Sequence, residues 1–218
     1  MFWFWLLYIS IFLPMCIAAP MKVIGKKNYN KKQKYIVISN HQSFFDPILL
    51  DMHLGRRIRF IAKKELWGKK EKSFFFEKVL GCIPVDRSKG LTLSATKEVY
   101  NLLNNNQSLG LFPEGKRFAD SNHDMSVKNG TCIFAIKTKT PILPCFFVNH
   151  PRFFKFNYLL IGKPFELSEF YDKKLNKETL DSASEIVIQK LKALKEEFEN
   201  AKKEKELVKM LKKQKKVK

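Results

Sequence analysis

The chain has 218 residues, of which 41 are Lys or Arg and 21 are Asp or Glu, so its formal net charge is +20 at pH 7. This length suffices for one domain with a full core and excludes two ordinary domains together with a membrane segment. The charge indicates an anionic partner, which can be nucleic acid, a membrane surface or a substrate, and the abundance of Lys over Arg favours the membrane.

The first nineteen residues are almost wholly apolar, and we expect residues 1–21 to form an N-terminal membrane helix. A cleavable signal peptide is the alternative, because Ala18 and Ala19 resemble a cleavage site, but the cationic start of such a peptide is absent. Several lysines follow between positions 22 and 34. By the positive-inside rule they place everything after this helix on the cytoplasmic face of a membrane, although a re-entrant or interfacial helix would fit the same residues.

Apolar runs that end in polar residues then alternate with helical patterns. The predicted strands are Tyr35–Ser39, Ile58–Ala62, Cys82–Val85, Leu109–Phe112, Ile142–Val148 and Asn157–Ile161. The predicted helices are Pro47–Leu54, Lys63–Leu80 with a break near Gly68, Leu91–Asn105, Gly130–Lys139 and a last one from Lys177. This alternation predicts a single α/β domain over residues 22–175, with a mixed, mostly parallel sheet flanked by helices.

Residues 176–218 are predicted to form a C-terminal helix and a basic tail. Beyond Ala201 lysine dominates, which indicates a solvated or membrane-facing tail. The tail has no interleaved aromatic residues and no Arg clusters, so we do not expect it to bind nucleic acid.

The cysteines lie in apolar surroundings without CxxC spacing, which predicts buried thiols in a reducing compartment and no metal site. They are Cys16, Cys82, Cys132 and Cys145. Three histidines have no regular spacing to other metal ligands, and we assign them surface or structural roles. They are His53, His123 and His150.

The segment from Asn40 to Pro47 follows the first predicted strand. His41 is therefore placed at the carboxyl end of a strand, where open α/β sheets bind ligands. A histidine that acts as a general base needs a carboxylate on its other ring nitrogen, and Asp46 is close enough in sequence to supply it. The alternative is that Asp46 only caps the helix that begins at Pro47.

A second polar cluster, Leu111–Arg117, follows another strand with an acid, a glycine and two cations. If it shares a sheet edge with His41, a base and an anion-binding loop face one pocket. Two alternatives remain here: an ordinary glycine turn, and a nucleotide-binding loop, because Gly110–Lys116 has the spacing GxxxxGK. Arg117 stands where such a loop requires Ser or Thr.

A third cluster, Gly81–Ser88, again places a cation, Arg87, just after a strand. The alternative for Arg87 is a surface ion pair with Asp86, which would contribute little.

With these clusters the sequence resembles the glycerolipid acyltransferases, the 1-acyl-glycerol-3-phosphate acyltransferases. The family's NHxSxxD block matches Asn40–Asp46, its second block matches Gly81–Arg87, and its FPEGTR block matches Phe112–Arg117. The fourth, proline-rich block matches Pro141–Pro144, and the similarity covers about residues 22–165. The four blocks occur in the family's order.

The resemblance implies direct acyl transfer from acyl-CoA or acyl carrier protein to a lysophosphatidate at a membrane, with no cofactor and no metal. It makes His41 the base and Asp46 the residue that orients it. It places the acceptor with Arg87, Glu114, Gly115, Lys116 and Arg117, and makes Pro144 a residue that shapes the pocket. Lys116 stands at the usual Thr position, which affects the expected acceptor preference.

Three alternatives to this reading stay open. Ser43 would be a nucleophile in a covalent mechanism, although it lacks the GxSxG turn that exposes such a serine. The acceptor would be glycerol-3-phosphate or another lysolipid. The chain would otherwise be a basic module that binds membranes or nucleic acid without catalysis.

Overall fold

The structure, a computed structural model, describes residues 17–67, 80–86, 92–117 and 126–214, together with Ser10 and Pro14. At its centre lies a seven-stranded sheet with the order β1-β7-β6-β2-β5-β3-β4. The strands are β1 (Met21–Ile24), β2 (Ile36–Ile38), β3 (Ile58–Lys63), β4 (Ile83–Val85), β5 (Ser108–Leu111), β6 (Ile142–Phe147) and β7 (Asn157–Ile161).

Neighbouring strands run parallel except for β6 and β7, so the sheet is mixed and mostly parallel as predicted. In the part of the chain that the structure describes, four helices flank it: α1 (Asp46–Leu54), α2 (Leu93–Asn104), α3 (Gly130–Thr138) and α4 (Lys177–Gln214). Short 3-10 helices occupy Lys26–Asn28, Lys64–Trp67 and Ser168–Phe170. The α/β architecture predicted from the sequence is confirmed.

The side chains of β2 alternate between two cores, because successive residues of a strand point to opposite faces. Ile36 and Ile38 pack in the core that α2, α3 and α4 cover. Val37 packs in the other, with α1 and with alternate residues of β3 and β6. All three side chains are at most 1% exposed, which explains why this strand reads as a continuous apolar run.

The strands β2 to β6 all end at the same edge of the sheet, which we call the carboxyl edge. The strands β7 and β1 run in the opposite direction and begin there, since Phe147 near the end of β6 pairs with Leu159 and Met21 pairs with Asn157. The chain segments that leave β2, β3, β4, β5 and β6 therefore gather on one side of the domain.

The structure differs from the predicted elements in three places. It adds β1, which is only four residues long, half exposed and interrupted by Lys22, so it lacks a clear strand pattern. The predicted helix from Lys63 begins instead as the end of β3 and a 3-10 turn, and residues 68–79 lie outside the described residues. The last helix continues past Ala201 to Gln214.

No helix among the described residues is long and apolar enough to cross a bilayer. Most of the predicted membrane helix at 1–21 lies outside the described residues.

The buried thiols are confirmed for the three cysteines that the structure describes, which are Cys82, Cys132 and Cys145. Burial raises the pKa of Cys82 to about 12, so this thiol stays protonated. Cys16 and His123 lie outside the described residues, while His53 is partly buried and His150 is exposed.

The turn from α1 into β3 depends on Asp51. Its carboxylate accepts the Ile58 N–H at 2.6 Å, and its carbonyl accepts the N–H of Gly55, which adopts a left-handed conformation with φ 63° and ends the helix. Burial raises the pKa of Asp51 to about 7, although the Ile58 amide and Arg57 both oppose this shift.

A pH-dependent stability follows from Asp51. Its folded-state pKa lies above its unfolded-state pKa of about 3.9, so its contribution is fully present below about pH 4 and is lost as pH rises through 7. The contribution of Asp51 to the free energy of unfolding should fall by a few kcal/mol between pH 4 and 8. Asp51→Asn keeps an acceptor for Ile58 without a charge and should remove most of this fall in urea titrations.

The matched control is Asp181→Asn, because Asp181 is exposed on α4. It should leave the pH profile of the wild type unchanged. An identical profile for Asp51→Asn and the wild type would contradict this account of Asp51.

Candidate active site

A cavity of about 720 Å³ opens at the carboxyl edge. His41 from the segment after β2, Phe60 from β3 and Phe112 from the segment after β5 line it, together with the beginning of α3. Clefts of this size at the carboxyl edge of an α/β sheet are the usual place for a small-molecule site.

His41 and Asp46 meet directly, as the sequence predicts. The Nδ1 atom of His41 lies 2.9 Å from Oδ2 of Asp46. The same Oδ2 accepts the N–H groups of Gln42 and Ser43, each at 2.7 Å, and Asp46 is fully buried. A carboxylate on Nδ1 holds the imidazole in the tautomer whose other nitrogen, Nε2, carries the lone pair of a base.

The capping alternative for Asp46 is not what the structure shows. Asp46 is the first residue of α1, and Phe45 occupies the cap position without a side-chain hydrogen bond. The Asp46 carboxylate instead bonds to groups that precede it in the chain. It therefore folds the segment from His41 to Ser43 around itself, while Pro47 still starts the helix.

Two phenylalanines fix the plane of the imidazole. The ring of Phe112 stacks on His41 with 3.9 Å between ring centroids. The ring of Phe60 in turn stacks on Phe112, with 5.5 Å between centroids. Gly110 makes this stack possible, because a Cβ there would lie 2.2 Å from the Phe60 ring. The sequence gives no signal for this stack, since its three rings come from three segments that are far apart in the chain.

The cluster at Leu111–Arg117 forms a tight turn. The Gly115 N–H donates to the Phe112 carbonyl at 2.9 Å, and Gly115 has φ +69°, a conformation that favours glycine. The Lys128 N–H donates to the Pro113 carbonyl at 3.0 Å, which draws the beginning of α3 against the turn.

Cations from three segments line the same cavity as His41. Lys116 and Arg117 come from the turn after β5, Lys63 from the end of β3 and Lys128 from the beginning of α3. Lys63 and Lys128 were not among the predicted site residues, because isolated lysines in such a basic chain carry no signal of their own. The arrangement provides an imidazole base beside a wall that attracts anions.

Of the remaining predicted site residues, some line the cavity and others do not. Gly115 lines the cavity, whereas Glu114 is 7% exposed and does not. Pro144 lies inside β6 and packs toward α4, since a Cβ on Gly162 would lie 2.8 Å from its Cγ and 3.4 Å from Leu194. Arg87 lies outside the described residues, and the preceding Asp86 lines the cavity.

Two chemical alternatives lose support. A nucleotide-binding loop needs a helix that begins at its lysine, but Lys116 and Arg117 are not helical, and Gly110 is required by Phe60. Ser43 is 8% exposed, does not line the cavity and bonds locally to the Phe45 N–H. It is not placed as a nucleophile.

Asn40 is a site residue whose role the sequence does not reveal. It is 2% exposed, and its side-chain amide donates to the Phe147 carbonyl at 2.9 Å and accepts the Phe147 N–H at 2.8 Å. It thereby joins the ends of β2 and β6, immediately before His41. An amide suits this two-bond contact because it presents a donor nitrogen and an acceptor oxygen side by side, whereas an ionised carboxylate cannot donate.

Asn40→Ala should destabilise the fold by about 2 kcal/mol or more, because it leaves two buried backbone groups of Phe147 without partners. Urea denaturation measures this loss. Asn105→Ala is the matched control, since the Asn105 side chain makes one exposed bond, and it should cost less than about 0.5 kcal/mol. Equal losses for the two variants would refute the role assigned to Asn40.

The chain is similar to known acyltransferases. An acyltransferase family model matches residues 20–148, which is more than half of the chain. The 1-acyl-sn-glycerol-3-phosphate acyltransferase of Saccharomyces cerevisiae is 34% identical over 137 residues, covering 61% of this chain and 44% of that protein. The enzyme of the same name from Helicobacter pylori is 33% identical over 123 residues, covering 55% of this chain and 50% of that protein.

The chain thus spans about half the length of the curated relatives it matches. A solved structure, the 1-acyl-sn-glycerophosphate (LPA) acyltransferase PlsC from Thermotoga maritima, superposes with a TM-score of 0.60 at 26% identity, covering 81% of this chain and 73% of that one. The residues that the family model matches include both the His41–Asp46 pair and the cationic turn after β5. Because this match covers more than half of the chain, the chain belongs to the acyltransferase family.

Proposed function

We propose that this chain transfers an acyl group from acyl-CoA or acyl carrier protein to the sn-2 hydroxyl of 1-acyl-glycerol-3-phosphate, which makes phosphatidic acid. One observation carries the proposal: the imidazole held by Asp46 and a wall of cations line the same cavity. The relatives named 1-acyl-sn-glycerol-3-phosphate acyltransferases support this choice of acceptor.

In the proposed reaction, Nε2 of His41 takes the proton of the acceptor hydroxyl as its oxygen attacks the thioester carbonyl. A C–O bond forms, the C–S bond breaks, and the thiolate leaves and recovers the proton from the imidazolium. The buried Asp46 stabilises that imidazolium through Nδ1. The thiolate is a good leaving group, so no covalent enzyme intermediate is needed, and the atoms balance without a cofactor.

The walls of the cavity fit the two halves of the acceptor. Arg117 and Lys116 line the part of the cavity where we place the phosphate, and the turn at Gly115 positions them there. We assign Arg87 to the same group from its place in the family block. Other lining residues are apolar and suit an acyl chain. They include Phe44, Ile48, Phe60, Leu80 and Phe134.

Lys116 adds a cation where the family block has Thr, and it lines the cavity. This extra charge favours acceptors that carry a phosphate. Lysophosphatidate and glycerol-3-phosphate both satisfy that requirement, and a panel of acceptors with one acyl donor separates them. The apolar lining favours the lysolipid, which has an acyl chain to bury.

We also place the chain at a membrane, with its catalytic domain on the cytoplasmic face. The apolar run at the beginning of the sequence and the lysines that follow it support this placement. The substrate is itself a membrane lipid, so the enzyme must meet it at the bilayer.

His41→Ala should lower the rate of acyl transfer by 10²-fold or more, because a positioned general base typically contributes about 10²–10⁴-fold. The assay is thiol release from acyl-CoA with a short-chain, monomeric lysophosphatidate. Asp46→Asn should lower kcat as well, because the neutral amide no longer stabilises the imidazolium. Turnover by His41→Ala at the wild-type rate, with an unchanged circular dichroism spectrum, would reject His41 as the base.

Arg117→Ala should raise KM for the phosphorylated acceptor much more than it lowers kcat, because it removes an interaction made with the bound phosphate before and during the reaction. Lys137→Ala is the matched control, since Lys137 is an exposed lysine on α3 that does not line the cavity. An unchanged KM for Arg117→Ala would remove this residue from the proposed phosphate site.

A further inference from the structure

The large apolar side chains that the structure leaves exposed are gathered at the carboxyl edge. Seven of the eight among the described residues lie there, which are Ile17, Phe44, Phe45, Leu93, Phe153, Phe154 and Phe156. Ile17 precedes β1, which begins at this edge, and Leu93 begins the helix that returns from β4 to β5. The eighth, Ile24, ends β1 at the opposite edge.

The segment between β6 and β7 contributes three of these side chains. Phe153, Phe154 and Phe156 are 63%, 84% and 56% exposed. Phe154 also has φ +56°, a left-handed conformation that is rare and strained for an aromatic residue. The chain therefore bears a conformational cost at the most exposed aromatic side chain of the described residues.

This segment is held in place by a buried amide. The side chain of Asn157, which is 1% exposed, accepts the Arg152 N–H at 2.9 Å and donates to the carbonyls of Arg152 and Lys155, each at 3.1 Å. The Phe154 N–H donates to the Ala18 carbonyl at 2.6 Å. The outward position of the three rings is thus built into the fold.

The charged side chains of this segment, and Lys22 beside it, all have one sign. Arg152 and Lys155 are exposed beside them, and Nζ of Lys22 lies 4.2 Å from the centroid of the Phe156 ring. Residues 150–158 contain no Asp or Glu. Aromatic rings flanked by Lys and Arg suit the interface of a bilayer that carries anionic head groups, where the rings enter the acyl boundary and the cations meet phosphates.

We propose that the carboxyl edge rests on an anionic lipid bilayer, with the rings of Phe153, Phe154 and Phe156 inserted at the interface. The bond from Phe154 to Ala18 joins this loop to the apolar N-terminal run, so both approach the bilayer together. The cavity that contains His41 opens at the same edge and includes the exposed ring of Phe44. If the proposed function holds, a lysolipid enters the cavity from the bilayer without crossing water.

The first test measures insertion without using activity. An environment-sensitive fluorophore is attached at Phe154→Cys in the full chain with Cys16→Ser, since the three other cysteines are buried. On vesicles of phosphatidylcholine and phosphatidylglycerol, its emission should shift to the blue and be quenched by brominated acyl chains. Vesicles of phosphatidylcholine alone should give a weaker shift.

Ile24→Cys, labelled in the same way, is the matched control from the opposite edge and should stay in a polar environment. Co-sedimentation establishes that each labelled protein is bound. A label at position 154 that remains accessible to aqueous iodide on vesicles that have bound the protein would overturn the proposal. So would equal quenching at positions 24 and 154.

The second test compares two presentations of the acceptor. Phe153→Ser combined with Phe154→Ser should lower transfer to lysophosphatidate in anionic vesicles by about tenfold or more, while transfer to a monomeric short-chain acceptor stays unchanged. Ile24→Ser should change neither rate. An equal loss with both acceptors would overturn the insertion proposal, whereas no transfer by the wild type with either acceptor would reject the proposed function and leave the fluorescence result standing.

Discussion

The site depends on one buried carboxylate. Oδ2 of Asp46 receives three hydrogen bonds, from the imidazole of His41 and from the N–H groups of Gln42 and Ser43. A buried charge is costly unless such bonds compensate it, so the segment before α1 must curl around the carboxylate. The hydrogen bonds that compensate the burial of the Asp46 carboxylate therefore also fix the direction in which Nε2 of His41 points.

The remaining parts of the site are brought to this imidazole by the parallel strands. β2, β3 and β5 end at one edge, so residues separated by about 70 positions in the chain become neighbours. Gly110 leaves room for the ring of Phe60, Phe60 supports Phe112, and Phe112 supports His41. Asn40 closes the other side by joining β2 to β6. The base is thus held by packing and by hydrogen bonds from independent segments.

The same edge combines chemistry and surface properties that belong together for an enzyme whose substrate is a lipid. The cavity is lined by cations and by apolar side chains, among them the exposed ring of Phe44, and three more exposed phenylalanines lie on the loop between β6 and β7. Because β7 and β1 run against the other strands, the loop after β6 and the segment before β1 both lie at this edge. Reversing these two strands is what brings Ala18 to this edge, where its carbonyl accepts the Phe154 N–H.

The sequence by itself determined the alternation of strands and helices, the pairing of His41 with Asp46 and the family blocks. These features are local, because hydrophobic periodicity and short spacings act within a few residues. Only the tertiary structure decided that Phe112 stacks on His41, that Asn40 pins Phe147, and that Lys63 and Lys128 join Arg117 at one cavity. It also moved Glu114 and Pro144 away from the cavity wall and added β1 to the sheet. These contacts join residues that are far apart in the chain, and they follow from the order and direction of the strands, which no local pattern encodes.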